Sequence, residues 1–219
     1  MSIVALMPMK GVSERVPNKN MRLFNGKPLC SYMLDSLTQS GIIDQVVVNT
    51  DSPEITEFIQ HKYPEVLVLQ RPAHLLGHDV SMNKIIQHDL AHVRGEIFLQ
   101  THSTNPLLKL DTIETALSRF RDLSTEFDSM FSVTKHQTRF YDSSGKPINH
   151  DPEVLIKTQD LPSVYEENSC FYIFTPKSFK KNVRRIGESP TMMIMDAAEA
   201  VDIDTESDFV MAEKLHQIL

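Results

Sequence analysis

The chain predicts an α/β domain with a mainly parallel sheet covered by helices on both faces. Three observations carry that reading. Short apolar runs recur at residues 3–7, 46–48, 66–69, 97–99, 130–133 and 170–174. Segments with helical spacing separate each of the first four from the next, and strand–helix alternation of this kind builds parallel sheets. The rhythm then breaks over residues 134–165 before resuming.

The first run is apolar throughout, as a strand buried on both faces requires. Gly26, Lys27 and Pro28 open a helix over Leu29–Gln39, with Leu29, Met33, Leu34 and Leu37 at helical spacing and Ser40-Gly41 ending it. Ser52-Pro53-Glu54 is a start signal for a second helix over residues 53–60. Residues 81–92 read as a third helix, and Asp111 is expected to cap a fourth over residues 112–120. Polar runs, scattered aromatics and the turn signal Asp142-Ser143-Ser144-Gly145-Lys146-Pro147 then make residues 134–168 an expected hairpin or arm. Residues 206–219, with Phe209, Met211, Ala212 and Leu215, read as a closing helix. No repeat or low-complexity linker divides the chain, so residues 1–219 are expected to form a single domain.

Composition narrows the function classes. At 41% hydrophobic and 23% charged residues the chain can bury a real core. Its net charge of −7, from 22 basic and 29 acidic side chains, argues against general nucleic-acid or anionic-membrane binding and leaves room for a local basic pocket. Cys30 and Cys170 stand far apart, so no disulfide framework is expected. The N-terminus has a strand pattern rather than that of an export signal, and no apolar stretch approaches the roughly 18 residues of a membrane span. A cytoplasmic protein is the expectation.

The segment Pro8-Met9-Lys10-Gly11-Val12-Ser13-Glu14-Arg15-Val16-Pro17-Asn18-Lys19-Asn20 directly follows the first strand. It combines a turn-forming glycine, a hydroxyl and three cations, Lys10, Arg15 and Lys19. Such a loop can wrap a triphosphate, with backbone N–H groups and Ser13 donating hydrogen bonds while the cations neutralise charge. No Gly-Lys-Ser/Thr closes it and no Gly-x-Gly-x-x-Gly turn is present, so it is neither of the common phosphate motifs; a solvated basic turn is the plain alternative. Near the C-terminus, Asp202-Ile203-Asp204-Thr205 sets two carboxylates on one side of an extended segment. Two open carboxylates suit Mg²⁺, which takes its other ligands from water and substrate phosphates. The alternative is a helix cap at Asp204 or Thr205.

Together these residues resemble the CMP-sialic acid synthetase (acylneuraminate cytidylyltransferase) family. Gly11, Ser13, Arg15, Pro17, Lys19 and Asn20 match its N-terminal signature, roughly P-A-R-G-G-S-K-R-I-P-N-K-N, with Lys10 for its leading Arg and Glu14 for its usual Lys. Asp202, Asp204, Glu206 and Asp208 match its C-terminal signature, in which the two Asp residues corresponding to Asp202 and Asp204 hold metal ions. The resemblance implies a Rossmann-like nucleotidyltransferase fold in three layers and a homodimer built on the projecting arm. It also implies transfer of a cytidylyl group from CTP to a sugar acid.

Other stretches match in the same order. Val47-Val48-Asn49-Thr50-Asp51 resembles a strand end of the family, though Asp51 also suits a helix cap. Arg71-Pro72-Ala73 matches an element whose Arg contacts the base. Asp79 aligns with the Asp of the family's L-x-S-D-T, with one extra residue here, and Ser81 and Asn83 fall where small polar residues read the cytosine edge. Gln100 stands where the family faces its sugar, in a loop two residues longer up to Pro106. His102 in that loop reads either as a general base or, more plainly, as a hydrogen-bonding loop residue, and His88 and His92 as half a metal site or an exposed helix face. Gln159, Leu161, Pro162 and Asn168 match a further motif in which Thr158 and Glu166 replace arginines, the second of them a sialic-acid contact, and Ser169 replaces Gly. The acceptor site is therefore expected to use Gln100, Asn168 and Tyr172, with Arg139, Lys135 or Lys157 as the carboxylate partner and Arg139 preferred. Two alternatives stay open: another sugar or nucleotide, or a non-catalytic nucleotide-binding module on the same fold.

Overall fold

A computed structural model describes residues 1–77 and 79–219. Its central sheet contains β1 (Ile3–Leu6), β4 (Gln45–Thr50), β5 (Leu67–Gln70), β6 (Ile97–Thr101), β7 (Ser129–His136), β8 (Val164–Phe174) and β9 (Pro190–Met195). Their spatial order is β5-β4-β1-β6-β8-β7-β9. Only β8 is antiparallel to its neighbours; the other adjacent pairs are parallel. The helices are α1 (Leu29–Gln39), α2 (Pro53–Lys62), α3 (Met82–His92), α4 (Leu110–Leu123), α5 (Pro176–Asn182) and α6 (Glu206–Ile218), and β2 (Leu23–Phe24) pairs with β3 (Lys27–Pro28) in a small hairpin.

Alternation along β1 builds the three layers. Ile3, Ala5 and Met7 join a core with Met33, Leu34 and Leu37 of α1, Ile55 and Ile59 of α2, and Ile113, Leu117 and Phe120 of α4. Val4 and Leu6 join the opposite core, with Ile86 of α3 and Phe179 of α5. Successive strand side chains point to opposite faces, so a strand covered on both must be apolar throughout. A third cluster packs Val16 of the first loop against Phe24, Leu29, Ile203, Phe209 and Ala212. It fixes the acidic segment before α6 beside the cationic loop. Burying side chains such as Val16 and Ile203 contributes about 1.5–3 kcal/mol each.

The α1 boundaries agree with the sequence reading, and Ser52 caps α2 by accepting from the Ile55 amide at 3.3 Å. Asp111 does not cap the fourth helix. It lies in the first turn of α4, whose N-cap position is Lys109. Buried Glu199 from a distant segment serves that end, accepting from the Lys109 amide at 3.3 Å and the Thr112 hydroxyl at 2.6 Å. An anion at a helix N-terminus replaces the local cap.

Residues 137–163 connect β7 to β8, and the outer parts of the expected arm continue their ladder, Thr134 facing Glu166 and His136 facing Val164. Asn149 organises this connection by donating to the carbonyls of Thr138 and Pro162 and accepting from the Phe140 amide. Tyr141, Ile148, Val154 and Leu155 remain exposed on it.

Candidate active site

The loops after β1 and β6 and the start of α3 enclose a cleft of about 240 Å³ lined by Lys10, Ser13, Glu14, Arg15, Lys19, Asn20, Met82, His102, Ser103 and Thr104 among others. The loop after β1 stays in register with β4 for two more residues, the Met9 amide donating to Asn49 O at 2.9 Å. Gly11 then donates its amide to Asp51 Oδ1 at 2.7 Å, and a Cβ at this position would lie 2.8 Å from Ser52 Cβ. Only glycine lets the loop pass this close. Asn20 ties the far end back, its amide nitrogen donating to Lys10 O at 2.7 Å while its oxygen accepts from Ser103 at 2.6 Å.

The loop cations converge on the acidic segment. Arg15 Nη2 lies 2.8 Å from Asp204 Oδ1 and Lys19 Nζ lies 3.6 Å from the same oxygen. Lys19 also donates to Ile203 O at 2.6 Å, and its side chain is largely buried. The segment is sewn to the loop after β6: the Ile203 amide donates to Thr104 O, and Asn105 donates to Val201 O. Ile203 is fully buried between the two carboxylates, and Asp202 also lines a groove of about 470 Å³ that contains Asn168, Ser169 and Glu167. Burial raises the pKa of Asp202, the negative charge of Asp204 adds to it, and a hydrogen bond from Thr104 opposes the rise. Thr205, not Asp204, caps α6 in a reciprocal box with Asp208.

Among the expected nucleotide contacts, Lys10, Ser13, Arg15, Lys19 and Asn20 line the cleft. Arg71 is turned inward: its Nε donates to Asn49 Oδ1 at 2.8 Å and its Nη2 to the Asn49 and Met9 carbonyls at 2.9 and 3.2 Å. It clamps the strand ends and sits beside buried Asp89, which accepts from Asn49 at 2.6 Å. Ser81 is at the N-cap position of α3, next to cleft-lining Met82, and Asp79 is exposed.

The acceptor residues divide. Gln100 and Tyr172 face each other across β6 and β8 and are fully enclosed. Gln100 Nε2 donates to Thr101 O at 2.9 Å and lies 3.1 Å from His102 Nε2. The Tyr172 hydroxyl donates to Glu167 and approaches Ser169 Oγ at 3.1 Å. Asn168 sits in an irregular stretch where β7 advances two residues, from Phe131 to Val133, while β8 runs through five, from Tyr172 to Glu167. Ser132 fills the gap, donating to Asn168 Oδ1 at 2.6 Å and accepting from the Phe171 amide at 3.0 Å. Ser169, which replaces a family glycine, adopts φ 60°, the left-handed region glycine enters most easily. Arg139 does not join this group; its guanidinium donates to Ile156 O at 2.6 Å within the β7–β8 connection.

Sequence reasoning missed Arg185. It follows α5 and donates from Nη1 to Gln100 Oε1 at 2.6 Å, with its guanidinium carbon 3.7 Å from the centre of the Tyr172 ring. The run Arg184-Arg185 reads as a solvated end of a basic helix, and only the fold brings it to Gln100, 85 positions earlier.

Among the described residues no group of three or more His, Cys, Asp and Glu side chains is placed to hold a metal ion. The His88 and His92 rings lie 4.2 Å apart, but His88 faces Asn49 and Asp89, and His92 Nδ1 lies 2.8 Å from His88 O. No helix among the described residues is long and apolar enough to cross a membrane.

Comparison with known proteins places this arrangement. The sequence profile of a family described as cytidylyltransferase matches residues 4–218, nearly the whole chain. The chain belongs to the cytidylyltransferase family. It is 27% identical to a pseudaminic acid cytidylyltransferase of Campylobacter jejuni, and 28% identical to a CMP-N,N'-diacetyllegionaminic acid synthase of Legionella pneumophila. Each match covers 100% of this chain and 97% of the relative. Its fold is similar to that of a CMP:2-keto-3-deoxy-manno-octonic acid synthetase solved with CTP, at a TM-score of 0.74 and 14% identity over 100% of both chains. The resemblance drawn from the sequence motifs is thereby upheld, and the cytidylyltransferase chain is that of a nucleotidyltransferase enzyme.

Proposed function

We propose that this cytidylyltransferase joins CTP to a nonulosonic acid. The anomeric hydroxyl oxygen of the sugar attacks the α-phosphorus, the bond from that phosphorus to the bridging oxygen of the β-phosphate breaks, pyrophosphate leaves, and the hydroxyl proton passes to solvent. The observation that carries the reading is the convergence on Asp204 of Arg15 and Lys19, which line the cleft beside the ends of β1 and β6. The names of the full-length relatives supply the sugar class.

The work left to the protein is positioning and charge neutralisation. Lys10, Arg15 and Lys19 offset the charge of the triphosphate, with Ser13 and the loop amides as further donors. Arg71, Asp79 and Ser81 are assigned to the base side of the site. On the acceptor side Gln100, Asn168 and Tyr172 shape the pocket. Asp202 and Asp204 would hold Mg²⁺, which when bound stabilises the negative charge on the phosphates. The donor set fits: two hard carboxylates suit an ion that completes its shell with water and phosphate oxygens, and burial, the main cause of the raised pKa of Asp202, disfavours a charge that a bound cation would stabilise.

The active form is proposed to be a homodimer. The exposed Tyr141, Ile148, Val154 and Leu155 on the β7–β8 connection would be buried across a two-fold axis.

The test is pyrophosphate release with CTP and Mg²⁺ across a panel of nonulosonic acids that includes pseudaminic, legionaminic and N-acetylneuraminic acids, with the other nucleoside triphosphates as controls. Release with CTP and at least one acid is expected. CTP binding without release for any acid favours a non-catalytic module instead.

A further inference from the structure

A sugar acid carries one fixed negative charge, its carboxylate, and selecting for it takes a cation that no protein anion already neutralises. Arg185 is the candidate, since among the described residues no carboxylate is paired with it directly and Glu167 acts on it only through space. Its side chain is half-buried, and among the described residues no Asp or Glu carboxylate lies within 4 Å of it. What satisfies the guanidinium in the free protein is neutral, the Gln100 side-chain oxygen at 2.6 Å and the face of the Tyr172 ring at 3.7 Å. Glu167, the acid beside this cluster, accepts from the Tyr172 hydroxyl instead. Burial lowers the pKa of Arg185, offset by Tyr172 and Glu167.

The group is also in the right place. Gln100 links Arg185 to His102, and His102 lines the cleft that holds the cationic loop. The guanidinium is therefore one side chain away from the wall that faces the nucleotide. A guanidinium has five N–H donors in a planar fork, and a carboxylate takes two of them. Gln100 accounts for one. A half-buried cation without a directly paired carboxylate still costs desolvation that an incoming anion offsets. The cations that the sequence put forward are engaged or placed elsewhere: Arg139 is bonded within the β7–β8 connection, Lys135 is exposed on the β7–β8 ladder, and Lys157 is exposed ahead of the short helical turn at Thr158–Asp160.

We infer that Arg185 binds the carboxylate of the acceptor, lying on Tyr172 and held in plane by Gln100, and so takes over the charge that Glu166 does not supply. The inference rests on the proposed reading that the acceptor is a sugar acid.

The test compares wild type, Arg185→Gln and Arg185→Lys with CTP and two acceptors: the acid identified by the pyrophosphate panel and its C1 carboxamide. The wild type should prefer the acid. R185Q should raise the acid's KM about 10- to 100-fold, the range of lost charge-assisted hydrogen bonds, and should bring the acid-to-amide preference towards one. CTP affinity by calorimetry should stay within about 2-fold of wild type, since the triphosphate meets other cations. R185K should fall between, because an ammonium keeps the charge and loses the fork. If R185Q slows both acceptors equally and keeps the preference, Arg185 only orients Gln100 and the assignment is wrong. Should R185Q lose CTP binding through misfolding, R185K decides: an unchanged preference overturns the assignment and a reduced one supports it. Wild-type inactivity towards every acid overturns the parent reading instead, and the carboxylate assignment with it.

Discussion

Lys19 Nζ lies 3.6 Å from Asp204 Oδ1, across 185 positions of sequence, and the same oxygen takes Arg15 at 2.8 Å. A cation of the phosphate loop and a proposed metal-holding carboxylate neutralise one another in the free protein. Arg15 and Asp204 are both substantially exposed, so this pairing contributes at most about 1 kcal/mol and yields readily to a stronger partner. On the proposed reading, binding of nucleotide with its cation would exchange both sides at once, freeing Arg15 and Lys19 for phosphate and Asp204 for the metal.

That exchange separates the two roles. Asp204→Asn should lower turnover by about 100- to 1,000-fold. Affinity for CTP in the presence of a chelator should hold or improve, because Arg15 and Lys19 lose a competing anion. Calorimetry with and without Mg²⁺ reads this directly, and near-normal turnover by soluble Asp202→Asn and Asp204→Asn proteins would remove the metal assignment.

Lys19→Ala should weaken CTP binding about 10-fold or more, in the range of a charge-assisted hydrogen bond, and leave cytidine binding within about 2-fold. Equal losses for CTP and cytidine would show that the loop does not hold the phosphates.

Gly11→Ala tests the loop's close approach to α2. The new methyl would lie 2.8 Å from Ser52 Cβ, a backbone-anchored atom that cannot swing aside. The expected cost is about 1–3 kcal/mol, seen as a lower Tm and weaker CTP binding. Adding Ser52→Gly removes the obstructing carbon at a cost of only a few tenths of a kcal/mol in capping, so the double variant should recover most of the loss. A double variant no better than Gly11→Ala would show that the strain lies elsewhere.

The fold was legible where pattern and burial agree. The uniformly apolar β1, the spacing of α1 and the Ser52 cap each follow from local chemistry, and the structure places them as read. Elements whose signal is not local escaped. β9 lies at the sheet edge with alternate residues exposed, and it begins at Pro190, a residue that edge strands tolerate. The cap of α4 comes from Glu199, beyond any sequence window. In the site, the loop and the acidic pair could be named from spacing because their residues are neighbours. Arg185 could not, since its meaning comes from its stacking on Tyr172 and its bond to Gln100, and neither is visible before β8 is laid beside β6.

His102 gives the pH dependence. Burial first, then the charges of Arg185 and Lys19, push its pKa from 6.5 to about 4, with Asp204 opposing. The unfolded chain therefore binds a proton between about pH 6.5 and 4 that the folded protein refuses. Its contribution to stability is full above the unfolded value and falls as pH drops towards 4. His102→Gln should flatten the acid limb of the stability profile over that window, and imidazole NMR of the wild type should show a titration near 4. A His102 midpoint near 6.5 would mean that the ring is open to solvent and not flanked by the two cations.

The β7–β8 connection tests the proposed assembly. Leu155 is 90% exposed, with Ile148 and Val154 exposed on the same connection, and an isolated chain gains nothing from leaving them in water. If a two-fold partner covers them, Leu155→Asp with Ile148→Asp should convert a dimer to a monomer by light scattering, because a buried unpaired carboxylate costs several kcal/mol. Neither residue lines the nucleotide cleft, so CTP affinity should hold. A wild-type monomer at micromolar concentration, or an unchanged dimer in the double variant, would place the interface on another face.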